Sequence, residues 1–373
     1  MRLVSAVIAA ETGAMHNTLA TQPEPVRQPS PSEQMIQMTS GHVIAQALYV
    51  AAELGIADLL ATGPHTSAEL ADTTGVHGPS LYRVLRALAS LGVFVEQEGQ
   101  TFGLTPLGET LRSDVPGSVR AWALVNCGVS WRAYGELLYS VRTGQPGFDR
   151  AYGMSVFDYT ARHPDALALF GKMLIDFSVQ EVAAVASAFS LSGAKSVVDV
   201  GGGSGNLLGA LLEANPSLTG TVFERPPVAE TAIQWLHAAG LSHRSDVLEG
   251  DFFESIPTGG DVYVLSHVIH DWDEAHCLTL LGNCRRAMAP GGRLLIVEMV
   301  LPAANQPSPG RLLDLIMLAN SPRGQERTLD EYRDLLARAD FRLARVVPTA
   351  SPVSVIEAVP ASGAAHDGPV QGR

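Results

Sequence analysis

The chain has 373 residues, 46% of them hydrophobic and 17% charged, with 25 Lys and Arg against 38 Asp and Glu for a formal net charge of -13. So much apolar side chain excludes wholesale disorder, and the length exceeds what one small core usually holds, so two domains are expected. The acidic balance repels phosphate backbones and argues against nucleic acid as a partner, while Cys127, Cys277 and Cys284 are too few and too scattered for a disulfide framework or a cysteine zinc site and suit a reducing cytoplasm.

Residues 1–34 read as a disordered leader. Met1–Ala10 has one Arg and a short apolar run like a weak signal peptide, but Glu11 interrupts it and Pro, Ser, Thr and Gln dominate up to Gln34. No stretch approaches the ~20 uninterrupted apolar residues of a membrane helix, so no membrane partner is expected.

Residues 35–113 change character. The run from His42 to Leu60, HVIAQALYVAAELGIADLL, is apolar on nearly all sides, which predicts a helix buried deeply or packed on another chain. A short helix, a Gly/His/Pro turn and a second helix with Leu81, Val84, Leu85, Leu88 and Leu91 at helical spacing follow, then an alternating hairpin around Glu98-Gly99-Gln100. This order makes a winged helix and raises DNA binding as a hypothesis. Between Gly41 and Leu111, however, only Arg83 and Arg86 stand against Glu53, Asp58, Glu69, Asp72, Glu96, Glu98 and Glu109. DNA recognition needs phosphate-positioning cations around the reading helix, so the expected role is dimerisation.

Residues 114–191 read as a helical connector. Its long apolar helix over Ala166–Phe189 carries Phe170, Met173 and Phe177 at helical spacing, a stripe that suits either core or an aromatic pocket wall. Over residues 192–360, strand-like runs at 196–200, 220–224, 262–266, 293–300 and 353–359 alternate with helical stretches. The expected fold is α/β, a doubly wound sheet with ligands at the carboxyl ends of its strands. Residues 361–373 read as a disordered tail.

The first of these strands runs into Asp199-Val-Gly201-Gly202-Gly203-Ser204-Gly205-Asn206. The dinucleotide pattern G-x-G-x-x-G fails in every register. The spacing Asp199-x-Gly201-x-Gly203-x-Gly205 instead resembles the loop of class I S-adenosylmethionine-dependent methyltransferases, in which the turn hugs the methionine part of the cofactor. Glu224 ends the next strand about 20 residues on, where a carboxylate can accept both ribose hydroxyls. Asp251 and Phe252 follow a further strand and offer adenine an acceptor and an aromatic ring.

The fourth strand ends in Ser266-His267-Val268-Ile269-His270-Asp271-Trp272-Asp273-Glu274-Ala275-His276-Cys277. Histidines and carboxylates in such a cluster suit either a divalent ion or a general base. A strand end turning into a helix scatters the side chains in direction, so no metal is expected.

LYRVLRALASLGVF, DVGGGSG, GDFF, IHDW, IVEMVLP and GQERTLDEY occur in one order between about residues 35 and 360. Together they resemble the caffeic-acid-type O-methyltransferases and their bacterial natural-product relatives. The resemblance implies a Rossmann-like methyltransferase domain behind a winged-helix dimerisation domain, S-adenosylmethionine as cofactor, a homodimer and an aromatic small-molecule acceptor with a phenolic hydroxyl. It implies His270 as catalytic base flanked by Glu298 and Glu326, and Ser266 against the cofactor. It also implies Phe170, Met173, Trp272, Met317 and Asn320 around the acceptor. Glu224 stands where plant members usually carry Asp, Ser266 where they often carry Lys, and Pro322-Arg323-Gly324-Gln325 replaces a GGR or GGK stretch. The same fold and cofactor serving hydroxylation or decarboxylation is the alternative, with a winged-helix DNA-binding regulator behind it.

Overall fold

The computed structural model describes residues 28–226, 228–321 and 323–361, so most of the expected leader and all but Ala361 of the expected tail lie outside the described residues. The chain divides into two compact units, residues 1–43 and residues 44–373. In the first unit, α1 (Pro31–Thr39) begins inside the stretch expected to be structureless. The cause is local: Ser30 and Glu33 form a reciprocal capping box, and Pro31 occupies the first helical turn, where its missing N–H costs nothing.

α2 (Gly41–Glu53) is followed by α3 (Ile56–Leu60), not by one continuous helix to Leu60. Gly55, with φ +63°, takes a left-handed turn that ends the first helix. β1 (His65–Thr66), α4 (Ser67–Thr74), α5 (Gly78–Ser90), β2 (Phe94–Gln97) and β3 (Thr101–Leu104) complete a winged helix with sheet order β1-β3-β2. Leu70, Leu81, Leu85, Leu88, Phe94 and Phe102 form its core.

The connector runs through α6 (Pro106–Glu109), α7 (Arg120–Leu124), a π turn at Val125–Val129, α8 (Trp131–Gly135), α9 (Leu137–Thr143), α10 (Gly147–Tyr152) and α11 (Val156–Arg162) into α12 (Pro164–Ala188). The rest of the chain then holds β4 (Ser196–Val200), α13 (Asn206–Ala214), β5 (Thr219–Glu224), α14 (Val228–Ala238), β6 (Ser245–Glu249), β7 (Val262–Ser266), α15 (Glu274–Ala287) and β8 (Arg293–Glu298). They continue with β9 (Val300–Leu301), α16 (Pro309–Asn320), β10 (Arg327–Thr328), α17 (Leu329–Arg338), β11 (Phe341–Pro348) and β12 (Ser354–Pro360).

Seven strands form one sheet in the order β11-β12-β8-β7-β4-β5-β6, parallel except where β12 runs against both neighbours. The inner strands β4, β7 and β8 read as nearly unbroken apolar runs because both faces are buried. Val197, Val262, Val264, Leu295 and Val297 pack with the leucines of α13, whereas Val198, Tyr263, Leu265, Leu294 and Ile296 pack with α15 and α17. Two strand expectations change. The run 293–300 stops at Glu298, with Val300–Leu301 turning away to pair with β10, and β11 is an additional strand. The chain leaves β4 toward β5 and β6, then returns to β7 and β8 on the other side, so the strand order reverses beside β4. Among the described residues, no helix is long and apolar enough to cross a membrane.

Candidate active site

Three motifs meet at this reversal. After β4, Gly201, Gly203 and Gly205 all hold left-handed backbone, with φ of +70°, +57° and +80°. This alternation coils the turn so that Gly205 stands at the start of α13. The Glu224 carboxylate at the end of β5 accepts from Gly203 N at 3.0 Å and from Arg225 N at 2.8 Å, which ties it to the glycine turn. Asp199 lies underneath: it is fully buried, and a Cβ added at Gly202 would meet its Cγ at 2.7 Å. Neither of its oxygens makes a well-formed hydrogen bond. Burial and the nearby Glu224 push the Asp199 carboxyl up to about 7, the Leu208 N–H in α13 offsetting a part.

Asp251 folds back to accept from Phe253 N at 2.8 Å, and the buried Asn283 donates to the carbonyls of Phe252 and Phe253 at 2.7 and 3.0 Å. These bonds hold Phe252 beside Gly201. Trp272, expected near the acceptor, meets Phe252 edge to face at 6.1 Å and stacks on His276 at 5.7 Å. Ser266 closes β7, half-buried.

The Ile269–Asp271 turn after β7 carries His270. Its backbone N donates to Glu298 Oε1 at 3.2 Å, and its ring Nδ1 lies 2.7 Å from Glu326 Oε1 and 3.3 Å from Glu298 Oε2. Nδ1 is therefore the nitrogen held by the two glutamates, while Nε2 lies 3.7 Å from Asp271 Oδ1. Burial disfavours the imidazolium, but Glu298, Glu326 and Asp271 outweigh it and raise His270 to about 10. Glu298, wholly buried, is itself pushed up by desolvation and drawn back by His270 and His267. Glu326 makes no ion pair with Arg327; the buried Arg327 guanidinium instead donates to the carbonyls of Ile269 and Trp272 at 3.0 and 2.9 Å, pinning the turn.

The acceptor-side expectations gather in part. Met317 and the His270 carbonyl both crowd Gly324, so α16 reaches the catalytic turn. Asn126 Nδ2 lies 3.7 Å from Met173 Sδ, and Tyr134 Oη donates to Asn126 Oδ1 at 2.6 Å. Asn320 donates to Ile316 O and keeps a buried carbonyl oxygen without a partner. Phe170 is half-buried on α12 and makes no ring contact among the described residues. Residues that sequence patterning did not single out include Asn126, Tyr134, Glu181, Asn283 and Arg327, all of which act through partners distant in the chain.

His267, His270 and Glu298 have nitrogens and oxygens within 4.8 Å of one another, close enough to share an ion. Their geometry is that of charge pairs, since the ring nitrogens of His267 and His270 sit 2.7 Å from Glu181 and Glu326. Around the strand ends, Asp199, Asn206, Glu181 and Glu326 each keep a buried acceptor oxygen without a hydrogen bond among the described residues. Acceptors gathered this way suit a guest that is cationic and rich in donors. S-adenosylmethionine, with an ammonium, a sulfonium, ribose hydroxyls and an adenine amine, meets that description.

Comparison with known proteins agrees. An O-methyltransferase dimerisation domain matches residues 36–114, and an O-methyltransferase domain matches residues 134–342. Phenazine O-methyltransferase PhzM of Lysobacter antibioticus is 45% identical over 326 residues, 87% of this chain and 95% of that protein. Mitomycin biosynthesis 6-O-methyltransferase of Streptomyces lavendulae is 40% identical over 84% of this chain and 90% of its own. The crystal structure of the O-methyltransferase NcsB1 from neocarzinostatin biosynthesis, in complex with S-adenosylmethionine and 2-hydroxy-5-methyl naphthoic acid, is similar with a TM-score of 0.75. It is 37% identical, covering 85% of this chain and 96% of that one.

Proposed function

The chain belongs to the family of S-adenosylmethionine-dependent O-methyltransferases with a dimerisation domain, and on that premise we propose that His270 removes the proton of a phenolic hydroxyl on an aromatic small molecule of secondary metabolism. The single observation that carries this reading is the buried His270 with Nδ1 held by Glu298 and Glu326. A phenol has a pKa near ~10 and is a poor nucleophile at neutral pH until its proton leaves. The carboxylates on Nδ1 orient the ring and stabilise the imidazolium that forms when Nε2 takes the proton. An aromatic amine attacks with its lone pair and needs no such base, so the arrangement favours a hydroxyl acceptor.

S-adenosylmethionine supplies an activated methyl group on a sulfonium. The protein's own task is positioning. Gly201, Gly203 and Gly205 form the turn against which the methionine part lies, with Asp199 shaping that turn from below. Glu224 receives the ribose, and Asp251, Phe252 and Ser266 border the remainder, with Trp272 joining them. Phe170, Met173, Met317 and Asn320 border the aromatic acceptor, and two copies of the chain associate through the N-terminal domain.

His270→Ala is expected to lower methyl transfer at least ~100-fold, measured with labelled cofactor against a panel of phenols, quinones and polyketide aromatics, while calorimetry shows the cofactor still binding. Full activity in that variant overturns the assignment of the base. Product mass from the same panel identifies the acceptor class.

A further inference from the structure

A second histidine sits beneath the first. His267 follows β7 with φ +53°, a left-handed conformation uncommon outside glycine. Its backbone N still bonds Val297 O, but the turn breaks the strand's alternation and aims the ring between α12 and the end of β8. There Nε2 lies 2.7 Å from Glu181 Oε2 and Nδ1 lies 3.8 Å from Glu298 Oε2. Glu181 is 5% exposed and lies on α12, 86 residues away in the chain. Phe177, one turn earlier on α12, meets the His267 ring edge to face and stacks on Trp122.

The rings of His267 and His270 are 5.2 Å apart and share Glu298. We infer that His267 is a positioning residue that sets the charge of the catalytic turn: as an imidazolium bridging Glu181 and Glu298, it offsets the carboxylates that would otherwise hold a proton on His270. The inference rests on His270 being the base. A base must begin neutral, and two glutamates and Asp271 around one imidazole favour its charged form. A cation 5 Å away opposes that charge, an interaction large enough at an intermediate effective dielectric to move a proton affinity by about one to two pH units. Glu181 gives His267 a carboxylate of its own: desolvation and the neighbouring His270 lower the proton affinity of His267, yet Glu181 and Glu298 bring the net shift upward. The groups facing the pair are Glu181 from α12, Glu298 from β8, Asp271 from the turn and Glu326 before β10, with Tyr332 of α17 behind the two glutamates.

The test is His267→Gln, whose amide can keep the bond to Glu181 without the charge. The ring resonance of His270, identified by its loss in His270→Gln, is followed by NMR through a pH titration of labelled full-length protein. Its midpoint is expected to rise by about one to two pH units, and the acid limb of kcat/KM to rise with it. Because His267→Gln leaves Glu181 as a buried anion without a counter-charge, which destabilises the fold, the double variant His267→Gln/Glu181→Gln removes both charges; its midpoint should lie between wild type and His267→Gln. A merely structural role lowers activity equally at all pH values and leaves the midpoint in place. An unmoved His270 midpoint in folded His267→Gln, or in the double variant a midpoint at or above that of His267→Gln, overturns the inference. A midpoint that moves while the acid limb does not leaves the tuning intact and removes His270 as the base.

Discussion

Asp199 shows what one buried carboxylate costs and what it secures. Its side chain is wholly buried under the glycine turn, and its affinity for a proton rises from the ordinary 3.8 to about 7. An acid that holds its proton more tightly when folded imposes no penalty below its unfolded pKa. It then destabilises the native state increasingly as pH rises through the window from 3.8 to about 7, and by a constant amount above that. The full shift corresponds to at most about 4 kcal/mol. Asp199→Asn is therefore expected to make the cofactor-free protein more stable relative to wild type at pH 8 than at pH 4, with weaker cofactor binding in exchange. Denaturant melts at the two pH values check the first part and calorimetry the second; a stability difference that is the same at both pH values contradicts the account.

The loop between α16 and β10 and the turn after β7 act as one element. Gln325 N donates to His270 O at 2.8 Å, and Arg327 donates to Ile269 O and Trp272 O, so the segment carrying Glu326 is bonded to the turn carrying His270. Gly324 stands between them: an added Cβ would lie 2.8 Å from His270 O and 2.7 Å from Met317 Cε. Methionine can move, but the carbonyl cannot move without the catalytic turn. Gly324→Ala is thus expected to lower kcat by about 10- to 100-fold, since displacements near one ångström have that effect, with cofactor affinity unchanged. Steady-state kinetics beside a binding isotherm tests it, and unaltered kcat contradicts it. These same segments mark how far pattern reading reaches. The glycine turn, the Thr328 and Glu331 capping box and the α4–α5 helix pair are local in sequence, so spacing alone reveals them. The break at Gly55, the stop of β8 at Glu298 and the antiparallel β11 depend on what each segment packs against, which periodicity does not encode. Trp272 illustrates the same limit, since its neighbours Phe252 and Phe253 lie about twenty residues upstream. The Glu181–His267 pair was hidden for that reason as well, with one partner inside a helix whose spacing suits either core or a pocket wall.

The net charge of -13 favours solubility without saying what the chain joins, and the match of its N-terminal segment to an O-methyltransferase dimerisation domain supports a second copy of itself. α1 presents exposed apolar side chains. It has nine residues, none of them buried, and Met35, Ile36 and Met38 are 60%, 64% and 66% exposed. A helix this short is marginal in water on its own, and apolar side chains clustered on it mark a contact surface. The dimerisation match begins at residue 36, within this helix. Light scattering of the intact protein at micromolar concentration is expected to give twice the 39.4 kDa chain mass. Replacing Met35, Ile36 and Met38 together by Glu should shift the equilibrium to monomer, because burying even one unpaired carboxylate in an interface costs several kcal/mol. The thermal midpoint of wild type should rise with protein concentration, as association stabilises the folded chain by mass action, and that dependence should vanish in the triple variant. A wild-type monomer refutes the dimer, and a triple variant that stays dimeric moves the interface from α1 to the rest of the 36–114 segment.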